Sequence, residues 1–335
     1  MEIWNQIFTL ACTDNGFTGR SLSLVSRYIH KTSKSSKLQS LSVTKPQQIH
    51  ALACLIAETP PNYRRVRYLF IASPVPDDDE NDDREAESEE EESITSAADA
   101  AEEVLAAFQR ILEALAPNLT TLHVHFPFHR KSLFLPTTAT FPSLVELTLY
   151  GPYSDYDNSS SPTSEDNSIK LPSLSNRPPL FPSLRRLHLA DCDRDMTGCF
   201  GRIASVAPSL THLCLPYQFY MADSILIGLG TRVVSRTHSP TSSSSHGFAV
   251  GTLPSTIEMV LVDPGPRYTG WCGTGKLRHY RDQQSFRQAV KVDKRVYILK
   301  ERPNGVKDAE KYWLDRIEGG EGWWAVLPNQ LACTW

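Results

Sequence analysis

His123, His125 and His129 fall within seven residues, and in an extended segment the first two would share one side, as a pair of zinc ligands can. A zinc site needs three or four ligands, and no Cys, Asp or Glu stands beside these in the sequence, so outward residues of a strand are the better expectation. "GWCGTGKL" at 270–277 has the outline G-x-x-x-x-G-K of a phosphate-cradling loop. Leu277 takes the place of the Ser or Thr that would ligate magnesium, and Pro264 and Pro266 separate the loop from the preceding apolar run, so a Gly-rich turn is expected. The seven cysteines are scattered and contain no C-x-x-C pair, which reads as reduced, mostly buried thiols. No nucleophile with its base, paired carboxylates or dinucleotide fingerprint can be assembled. The chain is expected not to be an enzyme, with no catalytic residue, cofactor or metal.

The elements that would carry any function are clearer than the chemistry. The pattern P-[SN]-L-x-x-L-x-L occurs four times, as "PNLTTLHV" from Pro117, "PSLVELTL" from Pro142, "PSLRRLHL" from Pro182 and "PSLTHLCL" from Pro208. "PSTIEMVL" from Pro254 is a weaker copy, and "LQSLSVTK" (38–45) and "RRVRYLFI" (64–71) are candidate earlier, proline-free ones. Two spacings are 25 and 26 residues, while Ser-rich insertions stretch the others to 40 and 46. In each copy the last two leucines alternate as in a strand, so Leu187 and Leu189 face inward and His188 outward. Helices are predicted between strands at 46–58, 96–115 (with Ser96 and Asp99 as a capping box) and 198–207. If the strands stack in register, His123, Thr148, His188 and Cys214 form one column and His125 and Tyr150 lie beside it; this outward face is the candidate substrate surface.

The N-terminus carries a second constellation. Ile3, Trp4, Ile7, Phe8 and Ala11 recur on one helical face, Asp14-Asn15-Gly16 marks a turn, and Thr18 or Ser21 would cap a second helix bearing Leu22, Val25 and Ile29. Two helices this short bury little by themselves, and require a partner inside the chain or outside it.

Two resemblances follow. The L-x-x-L-x-L strands paired with helices resemble the leucine-rich repeat over roughly 38–262, although the Asn or Cys of that repeat's asparagine ladder is not regularly placed. E-I-W-x-x-I-F-x-L-A at 2–11, with Asp14, Thr18 and S-L-x-L-V-S-R at 21–27, resembles an F-box, with Met1 where that family usually has Leu-Pro. The resemblance implies docking on the Skp-type adaptor of a cullin-RING ubiquitin ligase, with Ile3, Trp4, Ile7, Phe8, Leu22, Leu24, Val25 and Ser26 facing the adaptor and the repeats holding a protein substrate. The rival expectation is a repeat scaffold whose N-terminal helices only cap the first repeat.

The expected fold class is therefore α/β: F-box-like helices over 1–37, an irregular leucine-rich-repeat-like solenoid over 38–262, and a small α+β cap over 263–335. The cap is expected to hold a strand at 295–300, a helix at 308–317 and Trp313, Trp323 and Trp324 packed over the last repeat. Disordered insertions are expected at 74–95, 151–180 and 235–250. The first contains "DDDENDDREAESEEEE", whose twelve acids and one Arg give a local charge of −11 against −4 for the whole chain, so the remainder is net positive. That basic excess is dispersed and belongs to no nucleic-acid module. No run approaches the roughly 18 apolar residues of a spanning helix, and no secretory signal opens the chain, so a cytoplasmic or nuclear location without membrane contact is expected.

Overall fold

The computed structural model describes residues 2–73, 90–126, 139–150, 178–190, 200–216, 221–231, 251–264, 273–300, 302 and 305–325. The chain is a mixed α/β protein. The eight strands among the described residues are β1 (Ser40–Val43), β2 (Tyr68–Ala72), β3 (Thr121–His125), β4 (Glu146–Tyr150), β5 (Arg186–Ala190), β6 (His212–Pro216), β7 (Met259–Asp263) and β8 (Val296–Ile298). They form one sheet in sequence order, every strand parallel to the next.

Parallel neighbours require crossovers, and helices supply several of them. These are α4 (Pro46–Glu58) between β1 and β2, α5 (Glu90–Leu115) between β2 and β3, α6 (Phe200–Val206), α7 (Met221–Gly228) and α8 (Gly273–Val292). They cover one sheet face. Into that face point Leu122, Leu147, Leu187, Leu213 and Val260, which are partners in register, and they meet Ile49, Phe108, Leu112, Ile203, Ile225 and Phe286 in one apolar core.

The repeat is visible in the backbone as well. Leu119, Leu144, Leu184, Leu210 and Ile257, each two residues ahead of its strand, are buried. Just after the first four of these, one carbonyl accepts from two amides of the next copy. Thr120 O takes Val145 N and Glu146 N at 2.8 and 3.1 Å; Val145 O takes Arg185 N and Arg186 N at 2.9 and 3.0 Å. Arg185 O and Thr211 O repeat the arrangement toward β6 and β7. These bonds lock the register before each strand begins, and a one-residue slip would turn every leucine to the wrong face.

At the N-terminus stand α1 (Glu2–Ala11), α2 (Phe17–Val25) and α3 (Arg27–Ser33). The expected second helix is thus two. Ser26 is extended (φ −165°), and its Oγ accepts from Ile29 N at 3.2 Å, capping α3. Neither Thr18 nor Ser21 caps α2. Asp14 does so from the turn, accepting from Gly16 N at 2.9 Å and Thr18 N at 2.8 Å, while Gly16 takes φ 94°, a conformation that glycine enters without strain.

Other expectations are corrected. Ser96 lies inside α5 rather than at its start, because the helix begins at Glu90, so 90–95 of the first expected insertion are helical. Gly273–Leu277 is helical, the first part of α8, rather than a Gly-rich turn. The C-terminal part reaches beyond the last repeat: β8 is the eighth strand of the sheet, and α9 (Val306–Ile317) with the 3-10 turn Gly322–Trp324 lies across the face opposite the crossover helices. There, Trp313 packs on Phe70 of β2, whereas Trp324 packs on Cys214 of β6 and Leu261 of β7. The expected insertions fall outside the described residues over 74–89, 151–177 and 235–250.

Candidate functional site

The helix α1 has two apolar stripes where the sequence suggests one. Phe8 and Cys12, a turn apart, are buried at 2% exposure each, facing the body of the protein. On the other side Ile3, Ile7 and Leu10 are exposed, Ile3 at 71% and Ile7 at 46%. Trp4 sits between the stripes, 41% exposed and stacked on Phe8 with ring centroids 5.5 Å apart. On α2 Leu24 is 83% exposed, Val25 and Ser26 are also exposed, and Leu22 is half-buried. Of the eight sequence-derived docking residues, Phe8 therefore points inward. Leu10, Phe17 and Tyr28 are exposed apolar residues that the sequence reading missed; Leu10 was readable from its spacing to Ile3 and Ile7.

Polar contacts and a close backbone approach pin the three helices to the sheet edge. Gln39 Nε2 donates to Thr9 O at 2.9 Å, Ser40 Oγ to Asp14 O, and Ser42 N to Asn15 O at 3.4 Å. The α2 backbone at Gly19 comes so near Lys37 that a side chain there would meet its carbonyl. Burial pushes the Cys12 thiol up to about 11, with the Asp14 carboxylate adding to the shift, so it stays protonated and inert.

The second candidate site is the sheet column. Pairing brings it together in the expected register: His123 opposite Thr148, Thr148 opposite His188, His188 opposite Cys214, and His125 opposite Tyr150. The expected exposure is not found. His123, His125, Thr148, His188 and Cys214 are buried, Tyr150 half-buried, because α9 and the turn after it occupy this face. Phe70 stacks on His123 at 4.7 Å, His125 on Tyr150 at 4.1 Å, and Trp323 lies 5.3 Å from His188. The covering segment is anchored on Glu146, which accepts from Arg316 Nε at 2.6 Å and Trp324 Nε1 at 2.9 Å, and on Ser42, which donates to Glu310 at 2.6 Å.

No protein-family model, curated protein or solved structure matches this chain.

Chemically the two surfaces differ. The N-terminal face offers apolar anchors to a partner. The column holds imidazoles kept neutral: burial lowers His188 to about 3 and His125 to about 4, and holds His123 well below its ordinary value, with the neighbouring histidines adding to the effect. Burial raises the Cys214 thiol well above its ordinary range, and Asp263 adds to that. Among the described residues no three His, Cys, Asp or Glu side chains group as metal ligands, and no helix is long and apolar enough to cross a membrane. His129 lies outside the described residues. One open cleft of about 640 Å³ lies between α2, α3 and α4, with Leu38, Leu41 and Leu52 in its wall and Arg20, Lys34 and Lys37 around it.

Proposed function

We propose that this chain is a non-catalytic substrate receptor of an SCF-type ubiquitin ligase, its N-terminal helices binding a Skp-type adaptor and through it a cullin, and its irregular leucine-rich-repeat-like sheet holding a protein substrate. The observation that carries the reading is the apolar side of α1 formed by Ile3, Trp4 and Ile7, with Leu24 and Val25 of α2 exposed as well. It stays exposed although Phe8 on the other side of the same helix, and Cys12 just after it, are buried. Exposed apolar residues grouped on one helix face mark an interaction surface, and a helix face bearing an aromatic anchor is a common way to fill a partner's pockets. Phe8 acts in this reading from inside, holding the Trp4 ring by stacking.

A sheet whose strands follow one another in order, at a period in the mid-twenties where no insertion intervenes, supports the repeat assignment. Ubiquitin transfer would belong to other subunits, and the chain would contribute proximity. The rival reading, a repeat scaffold without ligase association, draws on the inner side of the same helices, since Phe8, Cys12 and Gly19 cover the β1 edge. Capping accounts for that side alone.

Co-purification with a Skp-type adaptor is the test. Wild-type chain should retain the adaptor, and a Trp4→Ala, Ile7→Ala double variant of unchanged far-UV circular dichroism should lose it by at least about tenfold, since aromatic hot spots contribute 2 kcal/mol or more. Absence of wild-type capture, or equal capture by the variant, rejects the proposal in favour of the scaffold.

A further inference from the structure

The sheet face under α9 is polar, unlike the leucine-lined face opposite, and its polarity is poorly answered. His123 Nε2, His125 Nδ1 and both ring nitrogens of His188 are buried without a hydrogen-bond partner among the described residues. So are Trp313 Nε1 and Trp323 Nε1 on the covering side. Native interiors leave few buried polar atoms unpaired, and each carries a desolvation cost. Six of them meet at one interface, so this contact is far from the best packing available to the sheet. The apolar support is also limited. Ala309, Trp313 and Ile317 rest on Phe70 and Ala72 in a small cluster separate from the main core, and Trp324 rests on a second small one. Segments held by small clusters open below the free energy of global unfolding.

We propose that α9 and the Gly322–Trp324 turn form a latch over the sheet face, and that protonation of the buried histidine column releases it. In the closed state burial keeps each imidazole neutral, and His123 Nε2, His125 Nδ1 and both nitrogens of His188 have no acceptor among the described residues for a second N–H. In the open state it regains water and its ordinary proton affinity, so acid favours opening.

The charges around the column reinforce the direction. From β5 comes Arg186, from the segment after β8 Arg302, and from α9 Arg316; Arg302 donates to Trp323 O at 2.9 Å and Ala325 O at 3.0 Å, and its positive charge disfavours a proton on His188. The carboxylates are Glu146 on β4, engaged by Arg316 and Trp324, and Asp263 on β7; Glu310 of α9 is held by Ser42 and Glu321 lies near Arg186 at 3.8 Å. Asp315 accepts from Gly322 N within the latch itself. Tyr68, Tyr150, Tyr297, Tyr312, Cys214 and His212 are further titratable groups on this face. No carboxylate among these hydrogen-bonds to His123, His125 or His188, so none receives the new proton. The inference stands on the sheet face alone and holds whether or not α1 takes an adaptor. Opening would expose the His123, Thr148, His188 and Cys214 column.

Hydrogen exchange of the full chain, read by mass spectrometry at pH 7.5 and 5.5 and corrected for intrinsic amide rates, tests it. Both values stand above the ordinary carboxylate range, so histidines dominate the difference. The expected result is at least a tenfold gain in exchange over Val306–Trp324 at pH 5.5 with Glu146–Tyr150 still protected, and a gain below about twofold in a His123→Leu, His125→Leu, His188→Leu variant. Equal latch protection at the two pH values, latch and sheet exposed together, or full pH dependence in the variant would each overturn it. Should the variant not fold, imidazole proton resonances of the wild type decide: histidine midpoints all at the ordinary 6.5 reject the latch, and the column's midpoints displaced downward support it.

Discussion

Arg316 of α9 donates to Glu146 of β4 at 2.6 Å, joining residues 170 positions apart and tying the C-terminal segment to the middle of the sheet. The carboxylate is the shared acceptor of this face: Trp324 donates to its other oxygen, and Arg186 lies 3.7 Å away.

Replacing that acceptor should loosen the segment. Glu146→Ala is expected to cost about 2–3 kcal/mol, the range for charge-assisted hydrogen bonds left without a partner. A lower urea midpoint together with faster amide exchange in α9 is the expected record, and an unchanged midpoint would disprove the anchoring role.

The two stripes of α1 should respond in opposite ways. Phe8→Ala removes a buried aromatic ring and should destabilise the chain by about 3 kcal/mol or more. Ile7→Ala, on the exposed stripe, should change stability by no more than about 0.5 kcal/mol. Thermal unfolding of the two variants side by side checks the assignment of faces.

Gly19 should tolerate no side chain. A Cβ there would fall on the Lys37 carbonyl, which is backbone and cannot swing aside, so Gly19→Ala should cost about 1–3 kcal/mol by overpacking. The loss should be confined to α1–α3: exchange in those helices rises while β4–β7 stay protected. Undisturbed α2 protection would contradict the close approach.

Acid should destabilise the whole protein as well as the latch. An unfolded histidine gains its proton near pH 6.5, but folded His125 does so only at about 4 and His188 at about 3. Between those limits the unfolded chain binds more protons, so stability falls as pH falls, by about 1.4 kcal/mol per pH unit for each histidine. Urea titrations at pH 7, 6 and 5 should show the decline, and His188→Leu should flatten it.

Much of the fold was legible because its signal is local. L-x-x-L-x-L fixes which side chains of a five-residue strand share a face, and five strands, from β3 to β7, lie where the pattern puts them, with their leading leucines buried. The helices α7 and α8 were missed. The former is short and follows β6 with only four intervening residues, and the latter is so polar in composition that its sequence shows no apolar stripe, although Phe286 and Ala289 enter the core. The break of the second N-terminal helix at Ser26 was also unread, since serine both tolerates a helix interior and caps a new one.

By itself the sequence determined the strand register, the leucine core and an apolar N-terminal helix, because period two and period 3.6 act between residues a few positions apart. Only the tertiary structure decided which faces are free. It turned Phe8 inward and left Ile3, Trp4 and Ile7 outside, and it laid α9 over the histidine column that the alternation had pointed away from the core. Covering is a contact between segments more than a hundred residues apart, so no local period carries it. The pattern says which way a side chain points, and packing says what it meets there.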